Sequence, residues 1–200
     1  MKNLFILILL VGCADISVQT PSSRFINPEA KGELLAGDIS ASYVGSSEAV
    51  VNTTGITAGQ KITNPIELER KGALGFNGTL GLHKKIDFFV ISPNVSPTLY
   101  GAKYQILGQP EAEATKGNHS LAVTLAYGQE KSTTTDFLNL LNSAEFKTKV
   151  LDTSLIYGYR LLDSTLLYSG VSYSDYEFIG SIVAGPQTGA YFDYQTAAIG

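Results

Sequence analysis

From residue 31 onward the apolar residues of this chain recur at every second position, not at every third or fourth. That period admits strands and excludes amphipathic helices as the main element. In 34–44, Leu35, Gly37, Ile39, Ala41 and Tyr43 share one parity, and Asp38, Ser40 and Ser42 share the other. In 71–82, Leu74, Phe76, Leu80 and Leu82 oppose Ala73, Gly75, Asn77, Thr79 and Gly81. In 120–128 the split is cleaner: Leu121, Val123, Leu125 and Tyr127 against Ser120, Ala122, Thr124, Ala126 and Gly128. In 151–161, Leu151, Leu155, Tyr157, Tyr159 and Leu161 oppose Asp152, Ser154, Gly158 and Arg160. The stretch 165–173 sets Leu167, Val171 and Tyr173 against Gly170 and Ser172, and 191–199 sets Phe192 and Tyr194 against Asp193 and Gln195. Alternation is weaker in 86–92 and 99–108, where Tyr104 and Ile106 oppose Lys103 and Gln105. About eight strands are predicted, in one all-β domain over 31–200 that forms an antiparallel up-and-down barrel.

The second parity decides which solvent the apolar parity meets. A soluble barrel turns that second face to water, and soluble surfaces carry roughly 25–35% charged residues. Here it is mostly Ser, Thr, Gly, Ala and Asn, and only 16% of the whole chain is charged. Small residues suit the cramped interior of a narrow barrel. The reading is therefore a transmembrane barrel with Leu, Val, Phe and Tyr towards lipid. Its polar interior is predicted to hold Asp38, Lys103, Gln105, Asp152, Arg160 and Asp193, with charges of both signs that pair there. Tyr43, Tyr127, Tyr159, Tyr173 and Tyr194 fall near strand ends, the level of interfacial aromatic girdles.

Connections alternate in length. His83-Lys84-Lys85 and Leu162-Asp163-Ser164 are short; 45–70 and 129–147 are long. Short turns at one end and long loops at the other are the layout of an outer-membrane barrel. Segment 109–118 is long for a tight turn, 93–97 is short for an outer loop, and 136–144 has room for a helical turn or two.

The N-terminus carries a second signal. Lys2 precedes an unbroken apolar run, 4–11, which is too short to span as a mature helix and has the layout of a cleaved signal, 1–12. It ends in Leu10-Val11-Gly12-Cys13, and Cys13 is the one cysteine of the chain. The tetrapeptide resembles the bacterial lipobox. That resemblance implies cleavage before Cys13, lipidation of its thiol, and acylation of the new amino group with chains such as palmitate. Several acyl chains make anchoring effectively permanent. Ala14 follows Cys13 and Asp15 comes one place later, so by the same resemblance the outer membrane is the expected destination. Residues 14–30, polar and with Pro21 and Pro28, read as a tether behind the lipidated cysteine.

The region 71–173 looks like the small outer-membrane barrel proteins of Gram-negative bacteria. The stretches that carry this are Leu80-Gly81-Leu82 before a turn, Gly101-Ala102-Lys103-Tyr104, and Ile156-Tyr157-Gly158-Tyr159. Members usually finish on an aromatic residue, whereas this sequence stops at Ala197-Ala198-Ile199-Gly200 inside an alternating stretch. The expectation is a C-terminally truncated barrel, eight to ten strands in full. Partners implied by the resemblance are outer-membrane lipids, the barrel-insertion machinery and the lipoprotein-processing enzymes.

No constellation for catalysis stands out. His83 and His119 flank turns at the short-turn end, and two histidines without cysteine partners make a poor metal site. Glu67 and Glu69 sit beside Arg70 and Lys71 as a solvated loop end. The glycines of 72–78 lie in a strand pattern, outside the strand-to-helix context of a dinucleotide loop. The formal charge is −4, and without Lys2 the balance is 13 Lys+Arg against 18 Asp+Glu, so no footprint for nucleic acid exists. No cofactor, metal or enzymatic role is expected. The leading expectation is a structural or surface-interaction protein that meets an extracellular partner through loops 45–70 and 129–147. The alternatives are a small channel and a lipid-anchored soluble barrel carrying an apolar ligand.

Overall fold

The computed structural model describes residues 16–21, 26–51, 66–93, 97–135, 142–184 and 187–199. All its regular elements are strands: β1 (Ile16–Pro21), β2 (Gly37–Val51), β3 (Ile66–His83), β4 (Ile86–Pro93), β5 (Leu99–Leu107), β6 (His119–Thr135), β7 (Asn142–Leu162), β8 (Thr165–Ala184) and β9 (Gln187–Ile199). They form one antiparallel sheet in sequence order. The seven strands β2–β8 make a curled half-barrel, and β1 and β9 extend its two edges. β1 covers only 46–51 of β2, and β9 covers only 173–184 of β8. Among the described residues, the backbone edges at 37–45 and 165–172 therefore have no strand partner.

The alternation seen in the sequence becomes two faces. On the concave face lie Asp87, Phe89, Ile91, Lys103, Gln105, Ser120, Ala122, Thr124, Ala126, Val150, Asp152, Ile156, Arg160 and Ser174, all buried. On the convex face lie Ile39, Tyr43, Phe76, Phe88, Tyr100, Tyr104, Leu125, Tyr127, Leu151, Leu155, Tyr157, Leu161, Leu167, Val171 and Tyr173, all exposed. β5 shows the pattern strand by strand, with burial switching at every residue from Leu99 to Ile106. The apolar core is thus a small cluster inside the curl: Ile26, Phe89, Ile91, Leu99, Ala126, Val150, Ile156, Tyr176 and Phe178, with Tyr168 packed against it.

Three expectations change. Residues 16–30, read as part of a polar tether, instead supply β1 and a buried segment in which Ile26, Glu29 and Ala30 are enclosed. The loops expected at 45–70 and 129–147 are shorter, because β2 runs to Val51, β3 starts at Ile66, β6 runs to Thr135 and β7 starts at Asn142. The hydrophobic period fades there while backbone pairing continues: Ser46 stands opposite Lys71 and Glu48 opposite Glu69. β-branched Thr133, Thr134 and Thr135 carry β6 onward without apolar side chains. Within 136–144, the end at 142–144 is strand; 136–141, like 52–65, lies outside the described residues.

Candidate functional site

The interior of the curl is filled by the chain itself. Residues 26–31 run along the concave face, and many of their polar groups are matched by groups of the sheet or of the 108–118 connection. β5 supplies Lys103, whose side chain is 1% exposed. Its Nζ donates to the carbonyls of Asn27 and Glu29, each at 2.7 Å, and pairs with Asp87 Oδ2 at 2.8 Å. Asp87 stands directly opposite Lys103 in the β4–β5 ladder, and its carboxylate also accepts the backbone N–H of Lys31. Two positions along β5, Gln105 Oε1 accepts the Ala30 N–H at 2.8 Å. Its Nε2 donates to the carbonyls of Leu107 and Gln109. The sheet thus reads the main chain of 26–31 much as a neighbouring strand would. A buried backbone needs those partners, since an unsatisfied amide or carbonyl costs about 1–3 kcal/mol.

The second anchor is Glu29, fully buried. Its carboxylate accepts from Arg160 Nε at 3.2 Å and from an Arg160 terminal nitrogen, and from Asn118 Nδ2 at 2.9 Å. Arg160 places its other terminal nitrogen on the Asp163 carbonyl in the β7–β8 turn. Pro28 lies over Gly158: a Cβ there would come within 2.6 Å of the Pro28 ring and 2.8 Å of Ser120 Oγ. The glycine of the Ile156-Tyr157-Gly158-Tyr159 stretch makes room for the segment. At its exit, Lys31 Nζ bridges Asp38 at 2.5 Å and Glu111 at 2.8 Å. Burial by itself pulls the Lys31 pKa down, but the hydrogen bonds and charges of Asp38 and Glu111 outweigh it and hold the ammonium above its ordinary value. Gly81 lets the chain turn into β2, since a Cβ would meet the Glu33 carbonyl at 2.2 Å.

Four of the six residues expected inside are buried on the concave face: Lys103, Gln105, Asp152 and Arg160. Lys103, Gln105 and Arg160 converge on 26–31. Asp152 lies further along β7 and accepts from Ser174 Oγ at 2.6 Å. Asp38 is half exposed: it lies on β2 opposite Thr79 of β3, on the stretch of β2 that β1 does not cover, and pairs with Lys31 at the mouth of the curl. Asp193 is in β9 opposite Ile179, and its side chain lies outside what is described, as does Cys13. The cations pair with acids that the alternation did not single out, Asp87 and Glu29. Asn27, Lys31, Glu111 and Asn118 were missed with them. Asp87 stands opposite Lys103 only through the β4–β5 register, which the weak alternation of 86–92 and 99–108 does not reveal.

His83 and His119 sit at strand ends beside turns. His119 Nδ1 lies 2.6 Å from the Tyr157 hydroxyl, and its ring packs on Tyr159 at 4.8 Å between centroids. Among the described residues no group of three or more His, Cys, Asp or Glu could hold a metal ion. Beside Ile26 lies a cavity of about 110 Å³, lined by Asp38, Ser40, Asn77, Thr79 and Tyr168 among others. Comparison with protein-family models, with characterised proteins and with solved structures found no match in any of the three.

Proposed function

We propose that this chain is an outer-membrane β-barrel lipoprotein of a Gram-negative bacterium, lipid-anchored at Cys13. Its task is structural or interactive rather than enzymatic. One observation carries the reading: the convex face is a broad, mostly apolar belt, with small polar residues such as Thr153 and Ser169 among its large side chains, while the enclosed face holds buried charges. In water that arrangement is inverted, since contiguous exposed apolar surface beyond a few hundred Å² marks an interface. On β7 the belt runs from Leu151 to Leu161, matching the roughly 9–11 residues a tilted strand needs to cross hydrocarbon. Tyr43, Tyr100, Tyr127 and Tyr173 rim it towards the long loops, and Tyr104, Tyr157 and Tyr159 towards the short turns, as girdles do. Beyond the rim the outward side chains turn charged, with ion pairs Lys149–Glu177 and Lys131–Glu145.

The filled part of the interior argues against the channel alternative. The enclosed segment and the Phe89–Tyr176–Phe178 cluster occupy the path a channel would use. What is left for function is the long-loop end, where 52–65 and 136–141 could meet an extracellular partner. The test is the chain with Cys13→Ser and a non-lipidating signal. It should need detergent and run faster on a gel unboiled than boiled. Free solubility in buffer, with one mobility, would overturn the reading.

A further inference from the structure

Between Lys31, held in the interior, and Gly37, the first residue of β2, the chain passes from the enclosed face into the wall of the sheet. It does so through a β-bulge. Leu35 donates its N–H to the Gly81 carbonyl at 2.9 Å, and Gly81 donates its own to the Ala36 carbonyl at 2.7 Å, so two residues oppose one. Leu35 occupies the left-handed region, with φ at 64°. That bulge position usually belongs to glycine, because a Cβ there crowds the backbone. The chain follows the rule elsewhere: among the described residues the other positive φ values fall on Gly32, Gly108 and Gly117. At Leu35 it holds a large apolar side chain against the strain, and that side chain is 70% exposed, beside Leu34 at 71%. The two backbone bonds to Gly81 enforce the conformation. A side chain so exposed gains little inside the fold, so its use lies in what covers it.

The place of the bulge identifies that cover. Gly81 is followed by exposed Leu82. The β3–β4 ladder then sets His83 against Ile86, and the β4–β5 ladder sets Ile86 against Tyr104, one of the tyrosines that rim the belt. Leu34 and Leu35 thus extend the apolar belt at its short-turn end, with the charged residues Glu33, Lys84 and Lys85 next to them. Apolar side chains giving way to charge within a residue or two is the profile of the boundary between hydrocarbon and headgroups. We infer that Leu34 and Leu35 are a lipid contact: the bulge presses them into the acyl-chain and glycerol boundary of the leaflet at the short-turn end. The inference rests on the membrane-barrel reading. It fastens the enclosed segment at its exit from both sides. Lys31 is bridged to Asp38 and Glu111 at the mouth of the curl, and the two leucines that follow are held by lipid outside it.

Tryptophan is absent from this chain, so one introduced indole is the sole reporter of its kind. Leu35→Trp, Leu34→Trp and, at mid-belt, Leu155→Trp are made in the full-length protein. Each is placed in vesicles of phosphatidylcholine brominated either high or low in the acyl chains. Leu34→Trp leaves the left-handed position untouched, so it reports even where Leu35→Trp fails to fold, and unboiled gel mobility shows which variants are folded. The expected result is short-wavelength emission at positions 34 and 35 that loses most of its intensity to the high bromines and less to the low ones. Position 155 should show the reverse order. Long-wavelength emission at 34 and 35, untouched by either lipid, would overturn the inference. Short-wavelength emission there that neither lipid quenches would overturn it too, since protein would then cover the bulge. In both cases quenching at position 155 leaves the barrel standing. Absence of quenching at position 155 would overturn the membrane barrel, and the inference with it.

Discussion

Arg160 on β7 holds Glu29 from 131 positions earlier in the chain, Nε on one carboxylate oxygen and a terminal nitrogen on the other. Both side chains are enclosed, so each would be a buried, uncompensated charge without its partner. Removing one member of such a pair typically costs about 3–5 kcal/mol, whereas replacing both by apolar residues of similar volume is often neutral. Glu29→Ala and Arg160→Ala should each lower unfolding stability by about that amount. The double variant Glu29→Leu with Arg160→Met should recover most of it. Denaturant titration read by gel mobility measures all three. Losses that simply add would mean that the two side chains do not act as a pair.

Lys103 is the second lock, and here the consequence is local. In Lys103→Met the carbonyls of Asn27 and Glu29 lose their donor and Asp87 loses its cation, while the neighbouring strands keep their ladders. The segment 26–31 should leave the interior before the sheet unfolds. Trypsin would report this: the Lys31–Gly32 bond should resist cleavage while the Lys31 side chain is only 10% exposed and doubly bridged. It should be cut in the variant, leaving a folded product that begins at Gly32. Equal resistance in the parent and in Lys103→Met would show that the segment is held by Pro28 over Gly158 and by Arg160, with no need of Lys103.

What could be read in advance follows from where the physics is local. Alternation reports which face a side chain takes, so Leu125 and Leu155 outward and Lys103 and Arg160 inward were legible residue by residue. Illegible were the features set by distant contacts. Asn27, Pro28 and Glu29 have the composition of a linker, and their role comes from Gly158, Lys103 and Arg160, which fold around them. The strand extensions at 45–51 and 129–135 escaped because pairing needs only backbone, and small polar side chains carry no period. The inner hydrophobic cluster was hidden too: Phe89 and Tyr176 share the parity of Asp87 and Ser174, and so were obscured by it.

The exit of the enclosed segment has a pH signature. Lys31 keeps its proton above the ordinary value near 10.5, because the Asp38 and Glu111 carboxylates outweigh the desolvation that opposes it. A cation whose pKa is raised by folding contributes stability that is complete below its unfolded pKa and disappears as pH rises through the folded one. The parent should therefore be more stable than Lys31→Met at neutral pH, by an amount that stays constant up to about pH 10.5 and shrinks only above it. Parallel unfolding curves across the alkaline range measure the difference. A gap that already narrows between pH 7 and 9 would place the responsible titration on another group.

The convex belt supplies the sharpest separation between a lipid-facing and a water-facing sheet. Leu155 is 45% exposed near the middle of the apolar span 151–161 of β7, flanked across the ladders by Val123 and Val171. If water covers that face, Leu155→Arg replaces one partly exposed side chain by another, and such surface changes stay within about 0.5 kcal/mol. If hydrocarbon covers it, an arginine at mid-depth costs about 2–4 kcal/mol, falling towards zero near the interfaces. The expected outcome in lipid bilayers is the larger loss for Leu155→Arg and a small one for Leu161→Arg, at the short-turn edge of the belt. The depth dependence matters more than either value. A water-facing surface has no reason to treat Leu155 and Leu161 differently, since their exposures, 45% and 44%, are nearly the same.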